Sequence, residues 1–277
     1  MKILIVGLGL IGGSMAKAFK KYTKHNIIGF DRDSAVLGKA LADGSIDEAF
    51  SGDFSGIDIL ISALFPEATI SFVTENADKI DKNTIITDCG GVKEKVCDAI
   101  YPVAKENGLT FIGMHPMAGI EKFGYDNSFP DMFVGASMIL TPYEDTDREK
   151  VKRLVDVIME TGFSKLQISN PKEHDEVIAY TSQLAHVVSG AYVMSKTSEK
   201  HVGFSAGSFR DMTRVAHLNE YMWTELFMDN RENLARETDE LIERLKEYSD
   251  ALKNGDREKL FDILKRGRER KDLTDRL

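Results

Sequence analysis

Short runs of Val, Ile and Leu alternate with helical patterns through the first 168 residues of the chain. The runs predicted as strands are residues 2–6, 26–30, 57–62, 84–87, 109–114, 136–141 and 163–167. Apolar residues at helical spacing lie between them, in residues 14–21, 33–42, 67–80, 92–107 and 147–160. Because near-continuous apolar strands that each precede a helix are typical of a sheet covered on both faces, this pattern predicts an α/β domain built on a parallel sheet.

The pattern changes at Asn170 and Pro171, after which we find helical spacing and no convincing strand. Pro171 suits the first turn of a helix, and Asn170 suits the N-cap position before it. The length of 277 residues is also compatible with two domains. We therefore predict an α/β domain over residues 1–168 and an all-α domain over residues 169–277.

The C-terminal helical segments are densely charged, with acidic and basic residues in near balance. Such charge usually marks a solvated helix face. A narrow apolar stripe nevertheless runs through these segments, formed by Leu234, Leu241, Leu245, Tyr248 and Leu252. Because an apolar seam flanked by charges suits packing against a partner subunit, we predict a homodimer formed through the helical domain.

The composition favours a soluble cytoplasmic protein that acts on a small molecule. Hydrophobic residues make up 42% of the chain, which excludes a disordered or fibrous protein. The net charge of −9 argues against nucleic acid as a partner, and glycines interrupt the apolar N-terminal run that a signal peptide or membrane span would need. Two cysteines are too few for a disulfide framework, and the histidines lack metal-ligand spacing, so no metal is predicted.

Residues 7–12 read Gly-Leu-Gly-Leu-Ile-Gly, a G-x-G-x-x-G motif that follows the first predicted strand. Gly7 allows a tight turn, Gly9 lets the backbone approach a pyrophosphate, and Gly12 brings helix and strand close together. The helix that starts here presents unpaired N–H groups to the phosphates. The motif therefore predicts a dinucleotide-binding domain.

Asp31 lies 19 residues after Gly12, at the end of the second predicted strand. A carboxylate there accepts hydrogen bonds from the ribose 2′-OH and repels a 2′-phosphate, which favours NAD over NADP. Arg32 keeps NADP open as the less favoured choice, because a guanidinium suits a 2′-phosphate. The residues predicted to contact the cofactor are Gly7, Gly9, Leu10, Ile11, Gly12, Asp31, Arg32, Ser62 and Leu64.

His115 follows a predicted strand, within the segment Gly-Met-His-Pro-Met-Ala-Gly. Ligands of open parallel sheets bind beyond the carboxyl ends of the strands, and histidine accepts protons near neutral pH. We therefore interpret His115 as a general base beside the nicotinamide. A purely structural histidine is the alternative.

A second group of polar residues lies in the helical domain. Ser208 and Asp211 have the S-x-x-D form of a capping box, which predicts a helix that begins at Phe209. Arg210 and Arg214 then share one helix face and suit a substrate carboxylate. The alternatives are that Asp211 orients Arg214, or that these charges form a surface ion pair.

The chain resembles the prephenate dehydrogenase family in several motifs that occur in the same order: GLGLIGGS, the acidic residue Asp31, GMHPMAG around His115, SQLAH ending at His186, and FRDMTR ending at Arg214 and followed by Trp223. The resemblance spans nearly the whole chain. It implies a Rossmann-type domain followed by a helical dimerisation domain. It also implies NAD-dependent oxidative decarboxylation of prephenate to 4-hydroxyphenylpyruvate, in tyrosine biosynthesis.

The resemblance further implies roles for individual residues. His115 matches the catalytic histidine that hydrogen-bonds the ring hydroxyl of the substrate, and Arg214 matches the arginine that binds a substrate carboxylate. The other substrate contacts that it implies are His186, Gly207, Glu121 near the entrance and the aromatic Trp223. From the residues alone, His186 is equally a buried histidine bonded to the backbone, and Trp223 is a core residue.

Gly91 departs from the family pattern, because the family usually has a serine there that touches cofactor and substrate. Its hydroxyl is absent in this chain, and water or Ser62 is expected to take its place. Ala185 replaces a frequent proline before His186, which is a milder change.

Three alternatives stay open from the sequence. The first is an arogenate dehydrogenase, which performs the same chemistry on a substrate with an amine in its side chain. The second is a non-catalytic NAD-binding regulatory protein, which the missing serine favours. The third is a 3-hydroxyacid dehydrogenase, in which Lys196 or Lys200 would act.

Overall fold

An eight-stranded sheet forms the first part of the computed structural model, which describes residues 1–276. Its strands are β1 (Lys2–Val6), β2 (Asn26–Phe30), β3 (Glu48–Ala49), β4 (Ile59–Ser62), β5 (Ile85–Asp88), β6 (Thr110–Met117), β7 (Ser137–Thr141) and β8 (Lys165–Ile168). Their spatial order is β3-β2-β1-β4-β5-β6-β7-β8. The connecting helices are α1 (Leu10–Tyr22), α2 (Ser34–Ala42), α3 (Pro66–Asn76), α4 (Glu94–Glu106) and α5 (Arg148–Met159).

The sheet is dominated by parallel pairs, as the sequence predicts, but β6 and β7 pair antiparallel. A parallel connection needs a crossover element, usually a helix. The connection from β6 to β7 contains only the short 3₁₀ turn Tyr125–Asn127, so β7 returns in the opposite direction. β8 then pairs parallel to β7 after the crossover through α5.

Helices cover both faces of the sheet because successive residues of each strand point to opposite sides. Ile3 and Ile5 of β1 belong to a buried cluster with Phe19 of α1 and Leu154 of α5. The alternate residues of β1 belong to a second buried cluster, together with residues of α3 and α4. This two-sided core holds the carboxyl ends of β1, β4 and β5 side by side.

The remainder of the described chain is helical. Its helices are α6 (Pro171–Ile178), α7 (Leu184–Val193), α8 (Gly207–Thr213), α9 (Glu220–Asp229), α10 (Arg231–Lys253) and α11 (Arg257–Thr274). A π-helical turn, Ala179–Gln183, joins α6 to α7. The predicted architecture, an α/β unit followed by an all-α unit, is confirmed, whereas the boundary between residues 168 and 169 stays a prediction.

Asn170 caps α6 as the sequence predicts, because its side chain accepts a hydrogen bond from the Glu173 N–H at 2.9 Å.

The predicted apolar stripe on α10 is only partly covered by other residues. Leu234 is buried, whereas Leu245 and Leu252 are 58% and 64% exposed. Among the helices of residues 1–276, none combines the length and apolar character needed to cross a membrane.

Candidate active site

The N-terminus of α1 is shaped for an anion. Gly7 has a φ of +87°, and a Cβ on Gly12 would lie 1.9 Å from the Gly7 carbonyl oxygen, so both positions require glycine. A Cβ on Gly9 would meet no described atom within 4 Å. Within residues 1–276, no side chain caps α1 and its first turn carries no acidic residue. Its unpaired N–H groups therefore fit a pyrophosphate.

Asp31 lies beside this helix terminus in a fixed orientation. The Leu8 N–H donates to one carboxylate oxygen at 2.8 Å, and the Asp33 N–H donates to the other at 2.9 Å. Each oxygen keeps a lone pair that can accept from a ribose hydroxyl. Arg32 is exposed, and Leu64 lies against the glycine turn, because a Cβ on Gly7 would be 2.7 Å from its Cδ2.

His115 is the end of a hydrogen-bonded chain that crosses from the sheet to the helices. Its Nδ1 lies 2.9 Å from Nε2 of His174, and Nδ1 of His174 lies 2.6 Å from Oδ1 of Asp175. The Asp175 carboxylate also accepts from the N–H groups of Lys93 and Glu94, at 2.8 and 2.9 Å, at the start of α4. Asp175 and His174 are both fully or almost fully buried.

The hydrogen bonds from Asp175 through His174 to His115 determine which ring nitrogens carry a proton. A carboxylate only accepts, so Nδ1 of His174 carries a proton and donates it to Asp175. Nε2 of His174 then accepts from Nδ1–H of His115, which leaves the lone pair of His115 on Nε2. Burial lowers the pKa of His115 well below its usual value, and His174 and the nearby cation of Lys93 lower it further. His115 is therefore a neutral base with a defined tautomer.

The cation of Lys93 is fully buried and paired with Asp88, which follows Thr87 at the carboxyl end of β5. Asp88 also accepts from the N–H groups of Gly90 and Met114 at 2.8 and 3.2 Å. These bonds tie the turn after β5 to β6, the strand that carries His115. The Lys93 cation, held in place by Asp88, opposes protonation of the imidazole.

Gly91 lies where the missing serine would be. A Cβ on Gly91 would lie 3.9 Å from Nε2 of His115 and 3.7 Å from both δ carbons of Leu226. The expectation that water or Ser62 takes the place of the missing hydroxyl stays a prediction. Ser62 is fully buried, and its Oγ shares a hydrogen bond with Oγ1 of Thr69 at 2.8 Å. The Ser62 hydroxyl therefore already has a hydrogen-bond partner in Thr69.

The second group of predicted residues lies around α8. The prediction that this helix begins at Phe209 is wrong, because α8 begins at Gly207 and Ser208 lies inside it. The extended Ala206 precedes the first turn, and within the described residues no side chain caps it. Small residues at 206 and 207 let the chain enter the helix before Ser208 could act as a cap.

Arg214 follows α8 and forms an ion pair with Glu121, from the loop after β6. Glu121 is therefore the partner of Arg214, a role that was expected of Asp211 as one alternative. Nδ1 of His186 lies 2.9 Å from the Val215 carbonyl oxygen, and its ring centroid lies 3.7 Å from that of Trp223. Burial lowers the pKa of His186, and Arg214 lowers it further.

Two elements link the His115 group to the Arg214 group. Trp223 and Leu226 are three residues apart on α9 and therefore share a face, with Trp223 against His186 and Leu226 beside Gly91. His115 and Glu121 lie on β6 and on the loop that follows it. In the part of the chain that the structure describes, Gly207 is exposed and joins neither group through a hydrogen bond.

Sequence reasoning missed His174, Asp175 and Lys93. His174 and Asp175 are adjacent residues in α6, next to a predicted domain boundary, which is where a contact between two domains is expected. Paired titratable residues at such a position were a usable signal. Lys93 gave no signal, because a buried lysine is recognisable only from its surroundings.

Family comparison matches residues 15–165 to "Prephenate dehydrogenase, nucleotide-binding domain" and residues 170–266 to "Prephenate dehydrogenase, dimerization domain". Prephenate dehydrogenase from Bacillus subtilis (strain 168) is 33% identical over 280 residues, which cover 98% of this chain and 75% of the relative.

Solved structures give the same result. Prephenate dehydrogenase from Aquifex aeolicus, in complex with hydroxyphenyl propionate and NAD⁺, has a TM-score of 0.86 at 27% identity and covers 99% of this chain and 98% of its own. Synechocystis arogenate dehydrogenase has a TM-score of 0.81 at 27% identity, with 99% and 100% covered.

Proposed function

Because this chain belongs to the prephenate dehydrogenase family, whose members carry out NAD-dependent oxidative decarboxylation in tyrosine biosynthesis, we propose that it oxidises prephenate to 4-hydroxyphenylpyruvate. The observation that carries the proposal is the chain from Asp175 through His174 to His115. It leaves Nε2 of His115 with a lone pair that can accept the proton of a ring hydroxyl.

In the proposed reaction, His115 and Arg214 have separate roles. Bound NAD⁺ supplies the hydride acceptor. Nε2 of His115 takes the hydroxyl proton as the carbinol carbon is oxidised to a carbonyl. The bond to the ring carboxylate then breaks, CO₂ leaves, and its electron pair completes the aromatic ring and moves onto the carbonyl oxygen, which regains the proton held by His115 and becomes the phenol. Arg214 holds a substrate carboxylate so that the carbinol carbon faces the nicotinamide.

NAD⁺ is the cofactor that the nucleotide site supports best. The Asp31 carboxylate is held by two N–H groups in a position suited to ribose hydroxyls, and its charge opposes a 2′-phosphate. The open space at Gly9 supports the approach of a pyrophosphate to the backbone. We propose that Leu10, Ile11 and Arg32 also contact the cofactor.

Prephenate is favoured over arogenate by the family models and by the Bacillus subtilis relative, which are all named for prephenate dehydrogenase. One observation favours arogenate as the second candidate. Nδ1 of His186 donates to the Val215 carbonyl, so its Nε2 carries a lone pair that can accept from an ammonium.

Steady-state turnover tests the proposal, with prephenate and arogenate each combined with NAD⁺ and NADP⁺. We expect the highest kcat/KM with prephenate and NAD⁺. A higher kcat/KM with arogenate would replace the proposal by the second candidate. Absence of turnover with every combination would leave a non-catalytic NAD-binding protein.

Arg214→Ala is expected chiefly to raise KM for prephenate. The substitution removes a charge-assisted pair worth about 2–3 kcal/mol, equivalent to roughly a 30- to 150-fold rise. Arg153→Ala is the matched control, because Arg153 also forms an ion pair, with Asp58, but at the amino end of β4. Steady-state kinetics on both variants measure the effect. An unchanged KM in Arg214→Ala would remove Arg214 from carboxylate binding.

The pH profile should report the neutral state of His115. The base works only when deprotonated, so kcat/KM falls as the pH drops through the pKa of His115 in the free enzyme. Burial holds that pKa well below 6.5, so we expect a plateau at neutral pH and the acidic limb below pH 6.5. A half-maximal point above pH 6.5 would contradict the assignment of His115 as the base.

We propose that the protein is a homodimer that joins through the helical part. The family match over residues 170–266 supports a dimerisation domain. Met194, Val202 and Phe204 are 81%, 79% and 92% exposed, which is costly for apolar side chains unless a partner covers them. Light scattering tests the proposal, since a mass near 30.9 kDa would correspond to a single chain.

A further inference from the structure

Two helices of the sheet are capped by carboxylates from the helical part of the chain. Asp175 accepts from the N–H groups of Lys93 and Glu94 at the start of α4. Glu225, on α9, accepts from the Glu67 N–H at 2.9 Å in the first turn of α3. Carboxylates are stabilised at helix N-termini, so these contacts hold the two parts together. The N-terminus of α1 has no such side-chain cap among the described residues.

A second contact ties α9 to the sheet. Nζ of Lys95, on α4, lies 2.7 Å from Oδ1 of Asp229 and also contacts the Glu67 carboxylate. The Asp229 side chain is only 7% exposed, and its Oδ2 is buried with no hydrogen-bond partner among the described residues. Lys95 therefore neutralises a carboxylate that would otherwise be buried without a cation. Burial opposes the charge of Lys95, but hydrogen bonds to Asp229 and Glu67 raise its pKa overall.

Two side chains that line the proposed active site, Trp223 and Leu226, belong to α9. Trp223 packs against His186, and the δ carbons of Leu226 lie beside Gly91, next to Nε2 of His115. On its other side, α9 is tied to the helical part because the side chain of Gln183 donates to the Leu226 carbonyl at 3.0 Å. A shift of α9 away from the sheet would therefore move both Trp223 and Leu226 relative to His115.

We propose that Lys95 is a positioning residue, which holds Asp229 and so fixes α9, with Trp223 and Leu226, against the nucleotide-binding part while prephenate is oxidised. Lys95 acts by holding the end of α9 against α3 and α4, through its contacts with Asp229 and Glu67. The proposal deepens the function given above and rests on it for its kinetic consequence. Its structural consequence, the position of α9, is measurable without turnover.

Trp223 is the only tryptophan of the chain, so its fluorescence reports α9 directly. In Lys95→Met we expect acrylamide quenching of Trp223 to rise by about twofold, because α9 loses its contact with α4 and keeps only the Glu225 contact with α3. Lys95→Arg keeps the charge and should restore the unmodified value. Lys105→Met is the matched control, since Lys105 forms an exposed pair with Asp145 elsewhere on α4. It should leave quenching unchanged.

Kinetics supply the second measurement. We expect kcat/KM for prephenate to fall about tenfold in Lys95→Met, through both kcat and KM, and to return to within about threefold in Lys95→Arg. The Kd for NAD⁺, measured by titration, should stay within about twofold, because the glycine loop is untouched.

Several results would overturn the proposal. Unchanged Trp223 quenching in Lys95→Met is one. A loss of NAD⁺ affinity as large as the loss of kcat/KM is another, because the residue would then act on the nucleotide site. Loss of cooperative thermal unfolding would equally overturn it, because Lys95 would then be required for folding. If the unmodified protein turns over neither prephenate nor arogenate, the proposed function fails, while the quenching experiment still decides the role of Lys95.

Discussion

His115→Asn is expected to lower kcat for prephenate by about 10²–10⁴-fold while KM changes little, the range for loss of a general base. Asparagine can still occupy the space beside His174, but its amide has no basic lone pair for the hydroxyl proton. Binding contacts at Arg214 and the glycine loop remain. The loss should therefore fall on the chemical step and not on the formation of the complex.

His25→Asn is the matched control for this substitution. His25 is another partly buried histidine, but it lies at the amino end of β2, near the Met1 ammonium and Glu160. We expect it to keep full turnover. If His115→Asn retained a kcat within about threefold of the unmodified protein, His115 would have no role as the base, because a lost base costs far more than that.

The fold was predictable where the signals are local. Most strands are found within a few residues of their predicted positions, because a buried strand needs a run of apolar residues. The start of α1 was predicted at residue 14 but lies at Leu10. Gly12 and Gly13 add no apolar side chains to the helical pattern, so the pattern is not visible there. Glycine is needed for close packing, because a Cβ on Gly13 would lie 2.9 Å from Ser128 and Tyr125.

Other features of the fold left no periodic signal. The strand β3, Glu48–Ala49, is only two residues long and exposed, so no alternation could mark it. The antiparallel direction of β7 depends on the absence of a crossover helix before it. That segment instead packs on α1, where the Phe129 N–H donates to the Ser14 hydroxyl at 3.1 Å.

The candidate site was predictable as separate motifs but not as an arrangement. The sequence indicates His115, Arg214 and the glycine loop through short local patterns. Which groups pair is decided by contacts between distant residues, such as His115 with His174 and Arg214 with Glu121. Asp211 is closer in sequence to Arg214 than Glu121 is, yet the fold brings Glu121 to the guanidinium. Sequence spacing holds no information on such long-range choices.

His174→Phe is expected to lower kcat for prephenate by about 10²–10³-fold, with NAD⁺ binding retained. Phenylalanine is also a planar aromatic side chain, somewhat larger than histidine, but it offers no acceptor to Nδ1–H of His115, so the imidazole loses both its orientation and its fixed tautomer. A part of the His115 population then carries its proton on Nε2, the nitrogen that must accept. Asp175 keeps its two bonds to the N–H groups at the start of α4, which preserves the contact between sheet and helices.

His174→Gln separates this tautomer effect from a general disturbance of the buried site. The amide oxygen of glutamine can take the place of Nε2 of His174 and accept from Nδ1–H of His115. Steady-state kinetics should therefore show that His174→Gln recovers most of the kcat that His174→Phe loses, although both variants remove the same buried imidazole. Equal losses in the two variants would mean that the acceptor does not matter. His174 and Asp175 would then not determine the tautomer of His115, and the proton arrangement derived from these hydrogen bonds would be wrong.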